Sequence, residues 1–120
     1  MLRREFMLFF ADAEHDLDVR VVVVTGAGRA FCAGADIKEW KEPKSAVEDR
    51  EERRLLKFWE AMSRCESPSN AAINGFALGG GCELAMCCDM RMASDRAQLG
   101  LTEVRRGIIP GGVEHNSYRP

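Results

Sequence analysis

The chain has 120 residues, 46% of them apolar, and a formal net charge of -2, which is one domain's worth of sequence with enough apolar content for a core. Its lysines and arginines are scattered rather than gathered into a stripe, so nothing favours nucleic acid or an anionic membrane surface. Composition leaves a small-molecule site or a protein partner.

The opening MLRREFMLFF is basic and partly apolar, but the apolar run is short, Glu5 interrupts it and no small-residue cleavage site comes after it. It reads neither as a targeting signal nor as a membrane span, and a soluble protein is expected. Leu2, Phe6, Phe9 or Phe10, Ala13 and Leu17 recur at intervals of three and four, the spacing of one helix face. Arg20 to Thr25, RVVVVT, is a β-branched run of the kind expected in a strand buried on both faces. Gly26 and Gly28 end it. The stretch TGAGRAF resembles the G-x-G-x-x-G dinucleotide fingerprint, but Phe31 occupies the third glycine position and the next stretch is loop-like rather than helical. A nucleotide-binding turn is therefore not expected.

Residues 31 to 40, FCAGADIKEW, supply a small-residue turn, Ala33-Gly34-Ala35, at the end of a buried strand and just before Asp36. The charged stretch from Lys38 to Arg54, punctuated by Pro43, reads as a solvated face. Within it, Ser45 with Glu48 has the form of a capping box, opening a helix through Leu55, Leu56, Phe58, Trp59 and Met62. Pro68 marks the next boundary, ahead of a short strand near Ala71 to Ile73. A glycine turn, a helical segment from Cys82 to Cys88 and a strand at Met90 to Ala93 come next. The order helix, strand, helix, strand, helix, strand predicts an α/β layer arrangement with right-handed crossovers, and no internal repeat is visible.

Gly79, Gly80 and Gly81 stand directly before good helix formers, Glu83, Leu84, Ala85 and Met86. Without β-carbons they let a ligand approach the backbone closely. A helix starting near Gly80 leaves its first amides unpaired at the positive end of the peptide dipoles, a place for an anion or for charge developing in a transition state. The same glycines would also serve a tight strand-to-helix turn with close packing, and Glu83 alone could be a first-turn charge. A second small-residue turn at Ala33 to Ala35 offers another backbone donor, and two donors converging from different elements are what an oxyanion hole requires.

The five cysteines, Cys32, Cys65, Cys82, Cys87 and Cys88, are odd in number and show neither C-x-x-C spacing nor a nearby histidine pair. They read as reduced thiols of a cytoplasmic or mitochondrial-matrix protein, with no metal site. His15 and His115 lie in polar stretches and are not catalytic candidates.

FCAGADIKEW, then AINGFALGGGCELAMCCDMRMAS, then AQLGLTEVRRGIIPGG resemble, in order and spacing, the enoyl-CoA hydratase/isomerase (crotonase) family over residues 19 to 112. The resemblance implies a crotonase-like ββα spiral, a lyase adding water to the 2,3 double bond of a 2-enoyl-CoA thioester in fatty acid β-oxidation, and a homo-oligomer of trimers or paired trimers. Coenzyme A would be part of the substrate, with no separate cofactor. By position, the two oxyanion-hole N–H groups fall on Ala35 and Gly80, and the two catalytic carboxylates on Glu83 and Glu103. Ala33, Asp36, Ile37 and Lys38 fall along the acyl-CoA. Glu83 is expected to orient and deprotonate water and Glu103 to protonate the α-carbon, with the opposite or a shared assignment also open. Keeping both glutamates favours hydration over double-bond isomerisation.

Family members are roughly twice this length. The expectation is therefore a partial core, residues 1 to 112, and then a divergent tail, 113 to 120, that does not resemble the family's continuation. The alternative function is that of a catalytically incompetent fragment acting as an assembly partner, or another acyl-CoA reaction. Asn70 is a further departure, a polar residue at an apolar strand position.

Overall fold

A computed structural model describes residues 2–36, 45–47 and 58–110. The chain opens with helix α1, Leu2–His15. Phe10 and Ala13 are buried, and Phe6 packs tilted against Phe10 with ring centroids 4.9 Å apart. Phe10 rather than Phe9 thus faces the core, while Leu17 lies beyond the helix end and is 96% exposed. The periodicity located the face but overshot the helix, which ends at His15 with the ring Nδ1 2.8 Å from the Ala11 carbonyl oxygen.

Two strands come next, β1 (Val22–Thr25) and β2 (Ala30–Cys32). After helix α2 (Phe58–Arg64) come β3 (Ser69–Ile73) and β4 (Phe76–Leu78). Helix α3 (Gly80–Cys87) then leads to β5 (Met90–Ala93), β6 (Gln98–Gly100) and a 3-10 helix over Thr102–Arg106. Odd-numbered strands pair in parallel in the order β1-β3-β5, and even-numbered strands in the order β2-β4-β6. Each circuit of the chain lays one strand in each sheet, so the architecture is a spiral although the sequence carries no repeat.

The sequence pattern showed no sign of β6, and it marked β2 and β4 only through the turns that end them, with no pattern of their own. Each is three residues long, too short for a period-two pattern, and they exist because neighbouring circuits stack on one another. Asn74 fixes one corner of the first stack: its Oδ1 accepts the Gly26 N–H at 3.1 Å and its Nδ2 donates to the Gly28 carbonyl at 3.1 Å. The segment after β1 turns into a strand rather than a helix, which agrees with the rejection of a dinucleotide fold.

One expectation about β1 is corrected. Val22 is buried and Val24 half-buried, but Val23 is 58% exposed, so the strand is buried on one face only among the described residues. Val23 pairs with Asn70, and Asn70 with Met90, across the outer face of this sheet. The inner face packs with α1, α2 and α3 around Phe10, Val22, Met62, Ala71, Ile73 and Ala85. Asn70 Nδ2 reaches Met92 Sδ at 3.7 Å, while its Oδ1 is buried without a hydrogen-bond partner among the described residues. That is a cost an apolar residue would not incur.

Met62 lies in α2 as expected, whereas the start of the expected helix, with Glu48, Leu55 and Leu56, lies outside the described residues, as does the tail from 113 to 120. At the other end of the core, Asp89 ties β3 to the chain leaving α3. Its Oδ2 accepts the Ser69 N–H and Oγ–H, each at 2.7 Å, and its own N–H donates to Ser69 Oγ at 3.2 Å.

Candidate active site

The glycine run sits where β4 gives way to α3. Gly79 is the N-cap, at φ 55° and ψ -126°, with no side-chain cap. Its carbonyl accepts the N–H groups of Cys82 and Glu83 at 2.9 and 3.1 Å, closing the first turn. The N–H of Gly80 donates to nothing among the described residues, which leaves a backbone donor at the positive end of the helix. Gly81 seats the helix on β2 so closely that a β-carbon there would collide with the Cys32 carbonyl.

The turn Ala33-Gly34-Ala35 leaves β2 and lies directly against this helix start. Gly34 has φ 90°, and a β-carbon on it would stand 2.9 Å from the Leu78 carbonyl oxygen and 3.3 Å from the Gly80 nitrogen. Because β2 pairs with β4, the ends of these two strands are neighbours, and the Gly34 Cα, one residue before Ala35, lies 3.8 Å from the Gly80 β-carbon position. The Ala35 N–H also lacks a partner among the described residues. Ala33, Ala35 and Asp36 are all exposed, so this rim is open to a ligand, whereas Ile37 and Lys38 lie outside the described residues.

Glu83 is 5% exposed, and its Oε2 lies 3.8 Å from where a Gly80 β-carbon would be. The carboxylate therefore turns back toward the helix N-terminus, where peptide dipoles favour it. Glu103 arrives on the 3-10 helix after β6. It is half-buried, its Oε1 stands 2.9 Å from the β-carbon position of Gly79, and its Oε2 is buried with no hydrogen-bond partner among the described residues. The Gly79 N–H donates to the Gly100 carbonyl at 2.8 Å, which clamps the glycine run to the strand leading into Glu103.

Both glutamates act on the Cys82 thiol. Burial pushes that thiol up, a hydrogen bond from the Gly100 backbone works the other way, and the charges of Glu103 and Glu83 add to the upward shift. All five cysteines are free thiols. Burial raises Cys87 and Cys88 to about 11, with Glu83 adding to the shift at Cys87. Among the described residues no group of histidine, cysteine and carboxylate side chains is placed to hold a metal ion, and no helix is long and apolar enough to cross a membrane.

Two contributors gave no clear signal in the sequence. Thr102 Oγ1 lies 3.3 Å from the Gly79 β-carbon position, next to Glu103. Arg91 Nη1 donates to the Met86 and Cys88 carbonyls at 3.1 and 2.8 Å, placing a cation at the negative end of the helix whose other end carries Gly80. A threonine beside a loop carboxylate gives no sign that it packs against a glycine turn, and an arginine in a strand pattern gives no sign that it caps a helix.

What these elements define is two backbone donors and two carboxylates gathered about one glycine turn in a two-sheet spiral. Residues 1–119 match the enoyl-CoA hydratase/isomerase family, and the chain belongs to that family. It is similar to the short-chain-enoyl-CoA hydratase of Clostridium acetobutylicum, 46% identical over 110 residues that make up 90% of this chain and 42% of the relative. It is also similar to the mitochondrial enoyl-CoA hydratase of Pongo abelii, 44% identical over 98 residues, 82% of this chain and 33% of the relative. The solved enoyl-CoA hydratase of Bacillus anthracis matches with a TM-score of 0.81 at 42% identity, covering 92% of this chain and 43% of that one. The fold is accordingly a partial crotonase-like spiral, and the chain spans less than half the length of these relatives.

Proposed function

We propose that this site hydrates the 2,3 double bond of a 2-enoyl-CoA thioester. The observation that carries the reading is the convergence of the Gly34 turn, the Gly80 amide, Glu83 and Glu103 around Gly79.

In this reading the thioester oxygen is held by the N–H groups of Ala35 and Gly80. As the water oxygen bonds to C3, the π electrons move toward C2 and the thioester oxygen, and these donors stabilise the resulting enolate-like charge. Glu83 orients the water and takes its proton. Glu103 delivers a proton to C2, so the elements of water are added across the bond and the thioester is regenerated. Two carboxyl groups can share this work only if one is ionised while the other holds a proton. Return of the proton from Glu83 to Glu103 through solvent resets the pair. Ala33, Asp36, Ile37 and Lys38 line the acyl-CoA, coenzyme A enters and leaves as part of the substrate, and no further cofactor is invoked.

An assembly of identical chains, a trimer or a pair of trimers, completes the reading, and the exposed outer face of the β1-β3-β5 sheet supports association. A cytoplasmic or mitochondrial-matrix setting fits the free thiols. The test is the loss of conjugated thioester absorbance when a short 2-enoyl-CoA is mixed with the folded protein, with sedimentation on the same sample. Glu83→Gln and Glu103→Gln should each lower kcat by about 10²-fold or more. Turnover unaffected by either change would refute the residue roles. Well-folded protein with no turnover would favour the alternative, a catalytically incompetent chain that serves as an assembly partner.

A further inference from the structure

Gly79 has none of the roles assigned above, yet it is bonded to the supports of both carboxylates. Its N–H donates to the Gly100 carbonyl at 2.8 Å, at the end of the strand that leads into Glu103. Its carbonyl accepts the Glu83 N–H at 3.1 Å. The third connection is a space: a β-carbon on Gly79 would lie 2.9 Å from Glu103 Oε1, 3.5 Å from Glu103 Cδ and 3.3 Å from Thr102 Oγ1.

We propose that Gly79 is the positioning residue for Glu103, the room left by its absent side chain being the seat of that carboxylate beside the Gly80 donor and Glu83. The proposal deepens the hydratase reading and rests on it for the role of Glu103. Two demands act on Gly79 and they are separable. Its φ of 55° favours glycine whatever surrounds it, as at Gly28 and Gly107, where φ is 72° and 69° and a β-carbon would meet nothing within 4 Å. The second demand is special to Gly79. At Gly81 a β-carbon would strike backbone, which the fold cannot yield, but at Gly79 it meets the far end of a glutamate, which can swing away. A methyl group there displaces the carboxylate before it disrupts the core.

The test compares Gly79→Ala, Glu103→Gln, Glu103→Ala and the corresponding double variants in the full chain, by hydration kinetics and by urea unfolding. Gly79→Ala is expected to lower kcat by about 10²-fold, the scale of a lost proton donor, while KM stays within about threefold. In Gly79→Ala/Glu103→Gln, kcat should fall no further than in Glu103→Gln alone, because both changes act through one carboxylate. In urea, part of the stability lost in Gly79→Ala should return when Glu103→Ala is added, since the tightest contact is removed and the backbone strain and the 3.3 Å approach to Thr102 Oγ1 remain. This unfolding cycle needs no turnover. If the unaltered chain is inactive the hydratase reading fails, and the seat of Glu103 is still decided. Fully additive losses, in kcat or in stability, overturn the proposal. Should Gly79→Ala alone fail to fold, cooperative unfolding of Gly79→Ala/Glu103→Ala supports it, and its absence overturns it.

Discussion

Replacing Gly34 by alanine tests whether the two backbone donors are held together by the turn after β2. The backbone has φ 90° there, and a side chain in that region costs about 1–3 kcal/mol. The new methyl would also stand 2.9 Å from the Leu78 carbonyl oxygen, where ordinary contact begins at 3.4 Å, so the turn and the helix start must part by about 0.5 Å. The Gly80 nitrogen, 3.3 Å from the same point, lies on the side being pushed. A misplacement of about 1 Å costs on the order of 10²-fold in rate, and complete loss of one oxyanion donor about 10²–10³-fold. Half the displacement therefore predicts a kcat lower by roughly 10-fold or more, with KM less affected. The control is Gly28→Ala, at φ 72° with nothing within 4 Å, which bears the backbone strain without the collision. Both variants should lose stability in thermal unfolding, by about 4 °C for each kcal/mol, but only Gly34→Ala should lose rate. Equal kcat in the two folded variants would refute the claim that this turn positions a donor.

Phe10, 1% exposed at the centre of the α1 face, should cost about 3–5 kcal/mol when replaced by alanine. Leu17→Ala, at a residue 96% exposed, should stay within about 0.5 kcal/mol in the same urea titration. Cys87 and Cys88 are raised from 9.0 to about 11, so burial favours their protonated forms in the folded chain. The unfolded chain then binds fewer protons between those values, and this contribution to stability, intact below pH 9, should be lost as the pH rises toward 11. Unfolding midpoints measured across that range, compared with a Cys87→Ser/Cys88→Ser variant, check the sign. A midpoint flat with pH in the unaltered chain would count against it.

The glycine run and Glu83 of the candidate site were legible because they announce themselves locally. Three glycines before helix formers mark an open helix start, and a carboxylate in the first turn marks a charge the dipole welcomes. Glu103 was different. Beside Thr102, with no periodic pattern around it, it reads equally well as a solvated loop charge, and only the family resemblance singled it out. The structure supplies a reason independent of resemblance: β6 pairs with β4, the Gly79 N–H holds the Gly100 carbonyl, and Glu103 is delivered into the space that Gly79 leaves.

The sequence by itself determined the elements whose signal lies within one stretch of chain: the α1 face, the valine run of β1, the α3 start at the glycines and the strand at Met90–Ala93. Composition also disfavoured a basic binding surface, because charge scatter needs no coordinates to be seen. Tertiary structure alone decided how the second sheet pairs, since three-residue strands are held by pairing between circuits rather than by a pattern of their own. It also decided that Val23 faces outward, because burial on a second face depends on whether another element covers it. The site belongs to the same category. Ala35, Gly80 and Glu103 are far apart along the chain, and stacking of successive circuits is what turns separate local signals into one arrangement of donors and carboxylates.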